Sequence, residues 1–405
     1  MSARSSKDEV GRRAGSGANH STMRGVNRSL VLDLIKYRGP VSRATVAKVA
    51  SLAKPTVSAI VDDLLTEGVV REIGHGRSSE VGGRPPMLLE FNARSRFVVG
   101  VHIGVQRTNV LVGDATGAEI GRVSRPTPKA RPREALRRVA GLVSDALEEV
   151  GAARRRVAAV GVCVPGMVDM RTGTCLLAPN LGWKDVPVSE LLEAELDVPI
   201  AVHNTTQAAA VAETVEGAAR GSTEVVLLYA GTGVGAGVLS DGRLFHGADG
   251  FAGEIGHCVI PGATERCNCG KVGCLETVAS APAIARAAAR GRTTPTAVDV
   301  AEAAASGDER ARTILGDAGK WLGWAASTLV NLFNPQTLVV AGGLVGAGEP
   351  LLGPLREAVA EHALPESRRR VEVRTWALGQ DAKVRGAVLV ALQHSETYYR
   401  VIFQG

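Results

Sequence analysis

The sequence predicts an α/β protein: a small helical head with a two-stranded wing, joined to a body of two similar lobes. Three observations predict it. Basic residues gather at one end, with 14 Lys+Arg against 9 Asp+Glu in residues 1–90 and 33 against 32 in the other 315. Within that end, apolar residues recur at helical spacing in three runs, with a tight link between the second and third. Beyond Arg94, strands and helices alternate, and one rhythm occurs twice, near Phe97 and near Val225: a strand hairpin round a glycine loop, then further strands and helices.

Residues 1–22 are rich in Ser, Gly and Arg without apolar period and are expected to be disordered. The head follows over 23–92. Leu30, Val31, Leu34 and Ile35 mark a first helix, which Gly39-Pro40 stops. Ser42 can cap a second helix, RATVAKVA. Ser51-Leu52-Ala53 makes the turn, and Lys54-Pro55-Thr56 opens a third helix, where proline loses nothing in the first turn. Val57, Ile60, Val61, Leu64 and Leu65 give that helix its buried face, and Gly68 ends it. VVREIG and GGRPPMLLEF read as two strands around a loop. Helix, turn, helix and wing with a basic surplus point to double-stranded DNA.

The body spans 93–395. FVVGVHIGVQRTNVLVGDATG is a hairpin, PREALRRVAGLVSDALEEV a helix, and VAAVGVCVPGMVD a buried strand running into a turn. PIAVHN is a strand and TTQAAAVAETVEGA a helix. EVVLLYAGTGVGAGVLSDGRL is the second hairpin. Helices fill 275–334, TLVVAGG and VEVRTWAL are late strands, and AKVRGAVLVALQH is a last helix. Lobe one is expected over about 93–203 with the helix 381–395 returned to it, and lobe two over 204–380. Residues 396–405 read as a tail whose FQG resembles a protease-cleavage stub.

Composition excludes several classes. Apolar residues are 45% and aromatics 3%, so Val, Leu and Ala must build the core. No run of about 18 apolar residues offers a membrane span, and the first 25 residues hold no apolar signal segment. Six cysteines in so long a chain argue for a reducing cytoplasm rather than a disulfide scaffold.

The densest chemical signal is CNCGKVGC, residues 267–274. Cys267, Cys269 and Cys274 offer three thiolates, and Gly270 and Gly273 let the backbone fold round an ion. Zinc takes four N or S ligands in a tetrahedron. The fourth is expected upstream, at His257 or Cys258; GEIGHCVIPG turns one of the pair toward the loop, and His257 is favoured. Four protein ligands leave no open position, so the zinc would be structural and would fix Glu254 and Glu276 on either side.

These residues carry a resemblance. Glu254 to His257 reads ExGH and Cys267 to Glu276 reads CxCGxxGCxE, similar to the ROK family of repressors, open reading frames and sugar kinases. NRSLVLDLI, GPVSRATVA, SLAKPTVSAIVDDLLTEGVV and GGRPP resemble the DNA-binding heads of its repressors. The resemblance covers about residues 24–395. It implies a winged helix-turn-helix joined to a two-lobed actin-like, ribonuclease-H-like sugar-kinase body, with zinc on His257, Cys267, Cys269 and Cys274. It also implies sugar contacts from Asn180, Asn204, Glu254, His257 and Glu276, whose amides, carboxylates and ring edge suit vicinal hydroxyls.

Two departures bear on catalysis. ROK kinases follow the strand with Asn-Asp, whose carboxylate takes the proton of the attacking hydroxyl; here Thr205 stands there, and a general base worth about 10²–10⁴-fold is missing. Their DxGGTK-like phosphate loop is here His102-Ile103-Gly104-Val105-Gln106-Arg107, without the acid and with valine for the second glycine. GTGVGAG at 231–237 survives, but one glycine loop is also simply a hairpin turn. The expectation is therefore no enzyme. The chain reads as a DNA-binding regulator, a homodimer or homotetramer, moved by a sugar-like effector between the lobes. Loss of the carboxylate at 205 removes a repulsion against phosphate, so a phosphorylated sugar is the sharper expectation. Ser42, Arg43, Lys54, Pro55, Thr56 and Ser58 are the expected DNA contacts, and Arg84, between Gly83 and Pro85, either enters a minor groove or rims the domain junction. The rival readings are a DNA-binding sugar kinase, a regulator answering to a partner protein, and a constitutive DNA binder.

Overall fold

The computed structural model describes residues 16–76 and 85–395, with side chains from residue 23. Arg84 and the tail 396–405 lie outside the described residues. The chain divides into two compact units between Arg96 and Phe97.

The first unit holds helices α1 (Ser16–Arg38), α2 (Arg43–Ala50) and α3 (Lys54–Thr66) and strands β1 (Val41–Ser42), β2 (Val70–His75) and β3 (Met87–Phe91), paired β1-β3-β2. Val31, Leu32, Ile35, Val46, Val57, Ile60, Val61, Leu64 and Leu89 form its core. The core face of α1 departs from expectation at Leu30, which is 40% exposed, while Leu32 is buried. A second correction concerns 16–22, expected to be disordered and here helical. A helix nucleated by the packed turns at 31–35 extends cheaply, because each added residue gains a bond without a new nucleus. Ser51, with φ 53°, turns the chain from α2 into α3.

The second unit has two sheets of the same order. Lobe one contains β4 (Phe97–Ile103), β5 (Arg107–Asp114) and β6 (Glu119–Pro126), then α4 (Pro132–Glu149) and β7 (Val157–Val164). A small sheet follows, β8 (Met167–Asp169), β9 (Thr174–Ala178) and β10 (Trp183–Pro187), with α5 (Val188–Leu196), β11 (Ile200–Asn204) and α6 (Thr205–Val215). Its main sheet runs β11-β7-β4-β5-β6, antiparallel through the β4-β5-β6 meander and parallel from β4 to β7 to β11.

Lobe two repeats this. It comprises β12 (Val225–Ala230), β13 (Val234–Ser240) and β14 (Arg243–Leu244), then α7 (Glu276–Ala279), α8 (Ala281–Ala288), α9 (Ala297–Ala305) and α10 (Glu309–Phe333). After these come β15 (Thr337–Ala341), α11 (Glu349–His362), α12 (Pro365–Arg370), β16 (Glu372–Thr375) and α13 (Asp381–His394). The sheet order is β14-β13-β12-β15-β16, with the same switch from antiparallel to parallel at its first strand. The duplication expected from the hairpin rhythm is therefore a duplication of sheet order.

Each sheet has an outer core, one built on α4 and α5 and the other on α8 to α11. A third core lies between the sheets and contains α6 and α13. The fit there is close: a Cβ on Gly386 of α13 would fall 2.0 Å from the Ala208 carbonyl oxygen of α6, and one on Gly161 of β7 would fall 2.0 Å from that of Ala387. α13 is thus wedged across lobe one while it touches α6, so it belongs to the layer that joins the lobes. Among the described residues no helix is long and apolar enough to cross a membrane.

Candidate metal centre, cleft and nucleic-acid face

The metal candidate is built by a loop between β14 and α7. Cys267 N–H donates to Lys271 O, Gly270 N–H to Cys267 O, and Ile260 N–H to Gly273 O, which folds 257–274 into two small antiparallel bridges. Gly270 and Gly273 have φ of 94° and 82°, and a Cβ on Gly273 would meet the Ala263 carbonyl oxygen at 2.7 Å, so glycine is required there. The turns bring His257, Cys267, Cys269 and Cys274 together, with ligand atoms all within 4.8 Å of one another. His257 Nδ1 lies 3.6 Å from Cys267 Sγ, and Cys269 Sγ lies 3.6 Å from Cys274 Sγ. Ligands about 2.3 Å from a zinc ion stand about 3.7 Å apart across a tetrahedron edge, so the group fits such an ion. Cys258 is exposed, and of the two candidate fourth ligands it is His257 that joins the cluster.

The other ring nitrogen of His257, Nε2, lies toward Glu254, 3.8 Å from a carboxylate oxygen and beyond a normal hydrogen bond. Burial pushes the Glu254 carboxyl up; His257 works against this and Glu276 adds to it. Glu276 opens α7, and its Oε2 accepts the Val234 N–H at 3.0 Å. A carboxylate thus already occupies a donor of the glycine loop 231–237. Asn204 caps α6, its Oδ1 accepting the N–H groups of Thr206 (2.7 Å) and Gln207 (3.2 Å), while its Nδ2 donates to Gly166 O at 2.7 Å. Asn180 is exposed in a short turn after β9.

Of the two positions that depart from kinases, His102 is buried, and Thr205 is half-buried with its hydroxyl oxygen enclosed. Thr205 begins α6, and its hydroxyl has no hydrogen-bond partner of regular geometry; the nearby Cys163 thiol donates instead to Lys383 O at 3.3 Å. Burial drives that thiol up to about 12, with Lys383 and Thr205 acting the other way. His102, on β4, is pushed down to about 3 by burial and by the Lys383 charge. The following turn is closed on itself. Gly104 N–H donates to Arg107 O (3.0 Å), Thr127 Oγ1 to Gly104 O (2.7 Å) and Thr127 N–H to Gln106 O (2.9 Å). The N–H of Gly104 is therefore already spent inside the protein.

Sequence reasoning missed His203 and His246, whose rings are 6.0 Å apart and whose buried Nδ1 atoms lack partners. Burial, then His246 and His394, holds His203 down to about 3. Only folding brings residue 246 to residue 203, so no local signal could have paired them. A cavity of about 230 Å³ between α8, α9 and α10 is lined by Ala288, Val300, Ala303, Ala311 and Ile314 and contains none of these residues.

In the first unit, Lys54, Pro55 and Thr56 are exposed at the start of α3, and Ser58 is half-buried. No side chain caps that helix start and no acid lies in its first turn. Two of the expected DNA contacts also have partners within the head. Ser42 is buried, and its hydroxyl accepts the Thr45 N–H at 3.2 Å. Arg43 pairs with Asp62 at 2.7 Å and Glu72 at 3.4 Å. Arg24 and Arg28 pair with Asp63 and Glu67, so these acids of α3 and its end carry partners too.

The ROK family model matches residues 98–394. The chain belongs to the ROK family. The xylose repressor of Caldicellulosiruptor bescii is 29% identical over 391 residues, covering 92% of this chain and 97% of that one. A glucokinase of Halalkalibacterium halodurans is 35% identical over 311 residues, covering 72% of this chain and 93% of its own length. A crystal structure of a ROK family transcriptional regulator, a homologue of the Escherichia coli Mlc protein, superposes with a TM-score of 0.77 at 25% identity, over 93% of this chain and 97% of that chain. Both regulators thus match over nearly the whole of this ROK chain, and the glucokinase over a length close to that of the second unit alone.

Proposed function

We propose that this ROK protein is a transcriptional repressor of carbohydrate-related genes that binds operator DNA as a homodimer or homotetramer and does not phosphorylate sugars. The observation that carries the reading is the similarity to a xylose repressor and a ROK regulator across head and body together. In this reading the first unit is a winged helix-turn-helix that lays the start of α3 in a major groove. Lys54, Pro55, Thr56 and Ser58 then face base edges and phosphates. Arg84 remains a candidate for the minor groove.

The effector is a sugar or sugar derivative between the lobes, met by Glu254, His257, Glu276, Asn180 and Asn204. The metal is zinc, held by four protein ligands and therefore structural. When bound it holds the loop that aims the His257 ring edge and Glu254 at the ligand. Differential affinity of two lobe arrangements for ligand then shifts operator affinity by linkage. The absence of a base at Thr205, with a Gly104 N–H already bonded, supports loss of phosphoryl transfer, which depends on positioning and charge stabilisation.

The test is selection of operator sites from a random duplex pool by the full chain, followed by titration at several salt concentrations. Repression requires a preferred site bound far above background, with affinity falling steeply as salt rises. A coupled assay with ATP and a panel of sugars is run beside it. Turnover there would favour the second reading, a DNA-binding sugar kinase, for which the 35% identity to a glucokinase speaks.

A further inference from the structure

Lobe one carries a basic surface where β6 passes into α4. Residues 125–138, RPTPKARPREALRR, hold six Lys+Arg against one acid, whereas residues 91–405 as a whole hold 33 against 32. The excess is therefore local. Arg137 pairs with Glu195 at 3.2 Å and Arg138 with Glu134. Arg125, Lys129, Arg131 and Arg133 are exposed, and among the described residues their side chains make no ion pair. Their one hydrogen bond runs from Arg125 Nη1 to the Ser124 carbonyl oxygen, at 3.1 Å. Other arginine runs are tied down: Arg154 donates to Ser144 Oγ at 2.8 Å, Arg156 lies over the Phe97 ring, and Arg369 pairs with Glu366.

The four free cations gather at one end of α4. Val123 belongs to the core that α4 covers, and Arg125, two positions on along β6, points to the same face. Lys129, Arg131 and Arg133 then recur at every second position through the link and into the first turn of α4. The link is braced. Pro126, Pro128 and Pro132 each fix a backbone angle, and Thr127 bonds through its N–H to Gln106 O at 2.9 Å and through Oγ1 to Gly104 O at 2.7 Å. A braced segment has less freedom to lose when it binds. Helix stability gives no reason for this cluster. The start of a helix is the positive end of its dipole, where cations are unfavourable. Yet Arg131 is the N-cap residue of α4, Arg133 follows in its first turn, and no side chain caps the helix.

The chemistry of the surface selects a polyanion with no apolar requirement. None of the exposed large apolar side chains lies between residues 106 and 244. Protein interfaces centre on aromatic and apolar anchors, and a peripheral membrane surface adds apolar side chains that insert. The backbone of duplex DNA needs only cations.

We infer that Arg125, Lys129, Arg131 and Arg133 form a second DNA surface, on the body rather than the head, that grips phosphates of the duplex flanking the operator. This rests on the repressor reading above and adds an interaction to it. The surface supplies affinity without sequence preference, because phosphate contacts position a protein and base contacts specify.

The experiment uses the full chain and the operator site selected as described above, in two duplexes: the site alone, and the site with long flanks. Binding is titrated against salt for the wild type and for a variant with Arg125→Gln, Lys129→Gln, Arg131→Gln and Arg133→Gln. Each cation that neutralises a phosphate contributes about 0.9 to the slope of log affinity on log salt. On the flanked duplex the variant should lose up to about 3.6 from that slope, while on the bare site both proteins share one slope. Its melting temperature should equal or exceed that of the wild type, since cations leave the positive end of α4. Arg125→Gln with Lys129→Gln touches no helix and serves if the fourfold variant does not fold. Equal slopes for both proteins on the flanked duplex would overturn the inference and return the cations to solvent or to an acidic protein partner. So would a loss of the same size on both duplexes, which would reflect the overall field of the protein and not contact with the flank. Failure to select any site ends the repressor reading itself, whereas a selected site bound with unchanged slopes ends this inference alone.

Discussion

Lobe one and lobe two share a strand order but use their first hairpin turn in opposite ways. In lobe one the turn at 104–106 is sealed by Thr127 at the end of β6, so the lobe satisfies itself. In lobe two the loop at 231–234 is completed from outside, by the Glu276 carboxylate at the end of the metal loop. The lesson is that a duplicated scaffold has diverged into a half that closes its own turn and a half whose candidate ligand residues Glu254, His257 and Glu276 hang from an added segment. That segment, 245–276, buries few large apolar side chains, and Phe245, Val259 and Val272 are exposed. A metal ion can hold such a segment where hydrophobic burial cannot.

The largest effect should come from removing the metal. Chelation, or Cys267→Ser, is expected to release zinc stoichiometrically and to unlock 245–276, at a cost of several kcal/mol in lobe two. Hydrogen exchange followed peptide by peptide, with metal analysis, checks this. Protection should vanish at 257–276 and persist at β4 to β6. Equal loss in both lobes would break the comparison.

Acid should act on the other half. His102 and His203 are both in lobe one, and both are held down to about 3 against an ordinary 6.5. Between those values the unfolded chain binds protons that the folded chain refuses. Stability is therefore complete above pH 6.5 and is lost as pH falls toward 3, with a slope of up to about 1.4 kcal/mol per pH unit for each histidine. Urea unfolding between pH 7 and 5 should show this slope in the wild type and roughly half of it in His102→Asn. An unchanged slope in that variant would mean that the imidazole is not the group that titrates.

How much of this was legible in the sequence depended on reach. The candidate metal group was readable because Cys267, Cys269 and Cys274 lie within one short loop and glycines mark it. The duplicated hairpins and the three head helices were readable from periodicity alone. α11 was not, since Pro350, Gly353 and Pro354 hide its helical spacing of Leu351, Leu355, Ala358 and Val359. It packs where α10 offers glycines: a Cβ on Gly319 would fall 2.3 Å from the Leu351 carbonyl oxygen. Ser42 and Arg43 were named by type and position, but capping and ion pairing depend on Thr45, Asp62 and Glu72, which no pattern assigns. The bond from Lys383 to Tyr229 was likewise invisible, because 154 positions separate the two.

The smallest effect is expected where the departure from kinases looks simplest. Thr205→Asp restores the carboxylate that a sugar hydroxyl needs, yet lobe one's turn stays sealed by Thr127, and Glu276 still occupies the Val234 N–H. A base alone is worth about 10²–10⁴-fold, whereas phosphoryl transfer draws nearly all its acceleration from positioned donors and charge. The variant should therefore show no ATP turnover with any sugar in a coupled assay. Measurable phosphorylation by Thr205→Asp would show that both loops open when ligand binds, and the contrast between a sealed and a completed turn would then describe only the resting molecule.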